Sequence, residues 1–392
     1  MDEFEILEQN SGYEQEYVDR ISEWEQAAIA SICAEIGRIG KLTPEQAKKY
    51  NAEKQAKKIE KAILAALAAA VLLNIKTLPN TYTSLFEGVQ KESEYLYRYR
   101  NIPLPNIKKD KAAQKIINQY AKKSGADFLE IAKTKALRVI DNNGNPVALR
   151  NQILKSFDEA SGLVINGKTD FYSAMRKTVI DLGGSGMRVE YASGITRRLD
   201  TVVRQNMLYN GKIASAEYSR QIGNELGCDG IEISFSANPR PSHRFMEGKQ
   251  YAKTHGKTVN GVYYEGAEDK GVYERLYEDY NCNHRETPII LGVSEPAYSA
   301  DELARLKAKN EKNYTIGNST GDGYYWSQRM RTLESATRNA KDRINALKAF
   351  GNSQAEIDKL KGQIKAYRAK YNEICDVTGI KAEPKRMSVP RI

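Results

Sequence analysis

Apolar residues recur along most of this chain with the period of a helix. In Trp24–Gly37 the residues Ala27, Ala28, Ile29, Ile32, Cys33 and Ile36 make one stripe, and Gly37 and Gly40 then interrupt it. Thr43 followed by Pro44, Glu45 and Gln46 is a helix start, with a capping residue and a proline at the first helical position. It predicts a helix through the alanine-rich stretch to about Asn74, ended by Leu78-Pro79-Asn80. Within it, the apolar run Ala62–Leu73 is too short to span a membrane core of roughly 30 Å. It reads as a buried helix that lets its neighbours approach closely.

Further helical patterns cover Ser84–Arg98, Lys111–Lys123, Asp127–Leu137, Leu149–Ser161 and Asp170–Leu182. Between them, Asp141-Asn142-Asn143-Gly144-Asn145 predicts a hairpin turn within Val139–Val147. Gly183–Gly186 reads as a flexible break and a candidate domain boundary. Arg188–Leu226 reads as one long helical region, with Leu199, Val202, Val203, Met207 and Leu208 on its apolar side.

The pattern changes after Gly227. Ile231-Glu232-Ile233-Ser234-Phe235 alternates strictly, as a half-buried strand does, and Lys249–Tyr251 and Gly261–Tyr264 look like further short strands. After Ser294-Glu295-Pro296 helical spacing returns. Met330, Leu333, Thr337, Ala340, Ile344 and Leu347, then Ile357, Leu360, Ile364, Tyr367 and Tyr371, step at heptad-like intervals on either side of Gly351-Asn352-Ser353. This predicts an antiparallel helical hairpin. The expected architecture is mainly α with a small β-rich central unit. Its segments are a helical 1–80, a helical 81–183, a central 187–296 with helix followed by the β unit, the hairpin at 297–380, and an extended tail at 381–392.

Charge adds a second layer. The chain carries a net +10, yet its first 25 residues hold nine acids against the single base Arg20, so the remainder is strongly basic. An acidic head on a basic body suggests two surfaces for two partners. Candidate phosphate contacts are Arg197, Arg198 and Arg204 on the long central helix, and Arg338, Lys341, Lys361, Lys365 and Arg368 on the hairpin. The alternative for these bases is ordinary solvated charge on amphipathic helices. Tyrosine, at 24 residues against 8 phenylalanines, suits half-buried assembly surfaces. The four cysteines are scattered without a CxxC pair, and the acidic N-terminus lacks the features of a secretory signal, which fits reduced thiols in a cytosolic setting.

Reactive residues concentrate in the β-rich centre, in Pro239-Arg240-Pro241-Ser242-His243, Glu247-Gly248-Lys249-Gln250-Tyr251 and Asn281-Cys282-Asn283-His284. Three readings fit. Arg240, His243, Cys282 and His284 could form a polar pin that ties together short strands with little core of their own. Cys228, His243, Cys282 and His284 could bind zinc, although ligands only two residues apart are unusual. A Cys/His pair could act as nucleophile and base, although no glycine-elbow motif supplies an oxyanion hole. The pin is the preferred reading, with no cofactor and no catalytic residue. Gly183–Gly186 is no phosphate loop, since no Gly-Lys-Ser/Thr follows it.

At these motifs the chain resembles the phage minor capsid protein 2 family, within the wider phage head-morphogenesis group. The resemblance rests on Ile39–Thr43, Tyr191-Ala192-Ser193-Gly194, Arg197-Arg198-Leu199-Asp200 and Glu225–Asp229. It continues through Arg240–His243, Gly248-Lys249 with Tyr251, Asn281–His284 and Gly292–Glu295, in that order along most of the chain. Met246 stands where the family usually has Trp, and Asn283 where it usually has Arg. The resemblance implies a structural protein of the phage head rather than an enzyme, sited in the virion after assembly in the host cytoplasm. The partners it implies are the portal protein, other capsid proteins and packaged double-stranded DNA, with no membrane. The alternative is a DNA-processing enzyme, a metal nuclease or an ADP-ribosyltransferase, working through the His/Cys centre.

Overall fold

The computed structural model describes residues 12–133, 137–141, 143–167, 170–191, 193–278, 282, 284–351 and 353–390, with only the backbone of 132 and 133. The head up to Glu8, Asn142, Ala192, Asn281, Asn283, Asn352 and the last two tail residues lie outside the described residues. The chain is 64% helical with small antiparallel sheets, as the patterning predicts.

Helix α1 (Gln15–Ile39) carries the expected stripe, with Ile21, Trp24, Ile32 and Ile36 buried. Thr43 caps α2 (Pro44–Lys48) through a reciprocal pair: its hydroxyl accepts from the Gln46 N–H at 3.2 Å, and the Gln46 side chain accepts from the Thr43 N–H at 2.9 Å. That helix stops after one turn. A second start, where Asn51 Oδ1 accepts from the Lys54 N–H at 2.8 Å, opens α3 (Ala52–Glu92).

Helix α3 does not end at Pro79 but runs through it. Leu78, Tyr82 and Phe86 follow one another at four-residue steps and are all buried. Burying such side chains contributes roughly 1.5–3 kcal/mol each, which outweighs the cost of about 3 kcal/mol for a proline inside a helix. Only one face of the alanine-rich stretch is covered. Ile63, Leu67, Val71 and Asn74 are buried, whereas Leu72 is 58% exposed. The expectation of a buried helix therefore holds only for one stripe of its surface, and by length and composition alone α3 is apolar enough to cross a membrane.

Helix α4 (Glu94–Tyr99) is short. Helix α5 (Lys111–Lys133) joins the two segments expected as Lys111–Lys123 and Asp127–Leu137, because Ile117, Tyr120, Ser124, Phe128 and Ile131 keep one buried stripe across the join. Strands β1 (Leu137–Ile140) and β2 (Pro146–Ala148) form the expected hairpin, followed by α6 (Leu149–Ile165) and α7 (Phe171–Ser185). Gly183 and Gly184 lie inside α7 and do not form a flexible break. A β-carbon at Gly183 would stand 2.7 Å from that of Ala346, so the glycine permits close helix contact.

Strands β3 (Arg188–Glu190) and β4 (Thr196–Arg198) occupy the start of the region expected to be helical, and α8 (Leu199–Glu225) begins only after them. The reason is an internal repeat. Leu137-Arg138-Val139, Gly144 and Leu149 recur as Met187-Arg188-Val189, Gly194 and Leu199, and both glycines hold positive φ in matching turns. The two hairpins meet through β1 and β3 in a sheet ordered β2-β1-β3-β4, where the equivalent residues Arg138 and Arg188 pair with each other. Strand pairing across this local two-fold outweighs the helical propensity of the second copy.

The central strands are β5 (Gly230–Ile233), β6 (Gln250–Ala252), β7 (Lys257–Val259) and β8 (Val262–Tyr264), followed by α9 (Val272–Tyr277) and β9 (Glu286–Ile289). Helix α10 (Ala300–Glu311) follows, then a hairpin of β10 (Tyr314–Ile316) and β11 (Ser319–Gly321) in a stretch expected to be helix. Gly317, with positive φ, makes its turn. Helices α11 (Gly323–Phe350) and α12 (Gln354–Thr378) are the expected helical pair, and Tyr371 of α12 donates to Glu334 of α11 at 3.1 Å.

The chain makes two compact units, each assembled from separated segments. The first comprises Met1–Glu14, Ile75–Ala126 and Gln205–Gln328; the second comprises Gln15–Asn74, Asp127–Arg204 and Arg329–Ile392. In the first, β5 is the centre of the sheet β6-β5-β9, and Ile231, Ile233, Met246, Tyr251, Val272, Leu276 and Cys282 form one apolar cluster. In the second, α1 packs on α6 and α7.

Candidate functional site

The reactive residues of the first unit converge beside β5. Pro241 fixes a 3-10 turn over Pro241–His243, in which the His243 N–H donates to the Arg240 carbonyl at 2.9 Å. The chain then returns to the sheet through Gly248, whose φ of +62° suits glycine and whose N–H donates to the Ile233 carbonyl. Cys282 and His284 arrive from the other side, immediately before β9. His243, Cys282 and His284 are all buried, and one ligand atom from each lies within 4.8 Å of the others.

His284 organises the group. Its Nδ1 is 3.4 Å from Cys282 Sγ, and its Nε2 is 3.0 Å from Glu247 Oε1. Carboxylate Oε1 also accepts from the Ser236 N–H at 3.1 Å. His284 therefore bridges the thiol and the carboxylate through its two ring nitrogens. Burial raises the Cys282 thiol, but hydrogen bonds with His243 and His284 and the charge of Lys212 overcome it and bring the thiol down to about 5. Burial opposes charge on His284, yet Cys282 and Glu247 together raise its pKa.

Of the residues expected in this site, His243, Cys282 and His284 meet. Arg240 enters through its backbone carbonyl. Cys228 is not in the group: it follows α8, where burial raises its thiol and Lys253, Arg100 and Asp229 are its charged neighbours. Glu247 was legible as part of a motif, because Gly248 marks the turn that carries it. Lys212, on α8, carried no signal in the sequence. Another contact onto the same sheet also went unannounced: Arg220, exposed on α8, donates to the buried Glu286 of β9 at 2.6 Å while lying over the Tyr277 ring at 4.4 Å.

The candidate phosphate contacts separate into two sets in the second unit. Arg198 is only 12% exposed and is held by Glu25 at 3.2 Å, Asp342 at 2.9 Å and Asp200 at 3.5 Å. Arg204 donates to Gln15, Arg338 to the Arg386 carbonyl and Lys341 to the Met387 carbonyl. Arg338 and Lys341 hold the tail, which carries a 3-10 turn at Pro384–Met387. Arg197 is exposed beside Tyr191, and Lys361, Lys365 and Arg368 are exposed on α12.

A cleft of about 660 Å³ lies near the cluster, lined by residues including Ser242, Phe245 and Arg275, but by none of the three converging side chains. The three converging side chains are buried, and the exposed candidate bases are Arg197 and the three on α12. The chain belongs to the phage minor capsid protein 2 family, whose family model matches residues 8–376. It is therefore a structural component of a phage capsid and a virion protein that works with other head proteins. No curated protein and no solved structure matches it.

Proposed function

We propose that this protein works in the phage head as a non-enzymatic minor component, associated with the portal and contacting packaged DNA during head assembly, packaging or ejection. The observation that carries the DNA part is the face of α12. Lys361, Lys365 and Arg368 recur there at steps of four and three residues, with Ile364 and Ala369 beside them. At 1.5 Å per residue the three bases span about 10 Å, a reach suited to successive phosphates. The acidic N-terminal segment supplies a surface of opposite sign for a head partner.

The test is duplex binding across a salt series. Changing Lys361, Lys365 and Arg368 to alanine together is expected to lower the slope of log affinity against log salt by about 2.7, near 0.9 per phosphate contact. Salt-independent binding by the parent chain would remove DNA from the proposal.

A second reading, a DNA-processing enzyme, draws on the succession Cys282, His284, Glu247, which has the order of nucleophile, base and orienting carboxylate. Cys282 is 8% exposed and the neighbouring cleft is lined without it, which favours a structural role. Nuclease or ADP-ribosyl transfer activity lost in both His243→Ala and His284→Ala, with the fold intact, would reverse that preference.

A further inference from the structure

We infer that His243, Cys282 and His284 bind a zinc ion that closes the small β unit of the first compact unit. The donor set is two imidazoles and a thiol, a combination that suits zinc and disfavours magnesium or calcium. Tetrahedral zinc holds sulfur at about 2.3 Å and nitrogen at about 2.0–2.1 Å, which places sulfur and nitrogen roughly 3.5 Å apart. Cys282 Sγ and His284 Nδ1 stand 3.4 Å apart, so this edge of the tetrahedron is already formed. The close spacing of Cys282 and His284 in sequence is no obstacle, because the ring presents Nδ1, the nitrogen nearer the backbone.

Glu247 supplies the second observation. A zinc-bound histidine usually donates its other ring N–H to a carboxylate, which fixes the ring and strengthens the ligand. His284 has this partner in Glu247 Oε1 at 3.0 Å, with both side chains buried. The other carboxylate oxygen, Oε2, is buried with no hydrogen-bond partner among the described residues. Three protein ligands leave zinc a fourth position for water. The three groups sit beside the apolar cluster of Ile231, Ile233, Met246 and Tyr251, which excludes competing water from the site. With zinc bound, strand β5, the turn at His243 and the approach to β9 are joined at a single point. The inference is independent of the DNA reading, since α12 carries none of these residues.

The test uses the full chain, stripped with a chelator and titrated with cobalt(II). The expected result is one equivalent of tetrahedral cobalt with a thiolate charge-transfer band in the near ultraviolet, displaced by zinc. Cys282→Ser should abolish the band, while Cys228→Ser should leave it. Glu247→Gln should weaken zinc binding by about 10–100-fold. A folded parent chain that takes up no stoichiometric cobalt would overturn the inference, leaving a metal-free pin. So would a band that survives Cys282→Ser or vanishes in Cys228→Ser. If Cys282→Ser does not fold, the parent titration and the Glu247→Gln affinity decide the matter.

Discussion

His284 Nε2 lies 3.0 Å from Glu247 Oε1, joining two buried side chains 37 residues apart in the chain. The same oxygen holds the Ser236 N–H, so one carboxylate ties the end of β5, the turn after His243 and the entry to β9. Removing one member of a buried, hydrogen-bonded pair costs about 3–5 kcal/mol, because the other is left without a partner. Glu247→Ala is therefore expected to speed hydrogen exchange of the β5 and β9 amides by at least 100-fold, and Glu247→Gln by much less. Equal exchange in the parent and Glu247→Ala would count against this role.

The second unit has a comparable centre at Arg198. Burial raises the Glu25 carboxyl to about 7 from 4.5; Arg198 opposes this, Asp200 and Asp342 reinforce it, and the Met187 N–H opposes it. Arg188 also faces the group. Because the folded chain holds the Glu25 proton more tightly than the unfolded chain, the associated stability is complete below pH 4.5. It declines as pH rises toward 7 and then levels off. The contribution at stake is on the order of 3 kcal/mol, partly offset by Asp200, whose carboxyl is held low. Glu25→Gln should flatten the difference between thermal midpoints at pH 5 and pH 8; an undiminished difference would show that another group sets it.

Arg338 and Lys341 donate to the Arg386 and Met387 carbonyls, and Asn345 donates to the Pro390 carbonyl at 3.1 Å. Replacing Arg338 and Lys341 with methionine should release the tail from α11, seen as faster proteolysis within Lys381–Pro390. DNA affinity should keep its salt slope. A drop in the slope matching that of the α12 variant would return these two bases to the DNA surface.

Pro79 is tolerated inside α3 because Leu78, Tyr82 and Phe86 are buried around it. Its side is exposed, so alanine there meets no obstacle and restores a backbone donor. Pro79→Ala is expected to stabilise the chain by about 1–3 kcal/mol. A lower denaturation midpoint would mean that the proline shapes the helix in a way the packing requires.

The sequence by itself determined the helical character of the chain, the central strands and the paired C-terminal helices. These follow from spacing of apolar residues, and spacing is local information. It also brought His243, Cys282 and His284 forward as a group, because they stand in short motifs punctuated by Pro241 and Gly248. Tertiary structure alone decided the matters in which burial competes with local preference. Pro79 stays within a helix because of what Tyr82 and Phe86 pack against, and Arg188–Glu190 is a strand because an equivalent strand pairs with it. Arg198 and Lys361 look alike as charges in a helical pattern. One faces three buried carboxylates and the other stands exposed beside Asp358 of its own helix, a difference set by which distant segments fold together. Glu247 and Lys212 bear on the His/Cys group for the same reason: electrostatic and hydrogen-bonding partners are chosen by distance in space, which sequence separation does not encode.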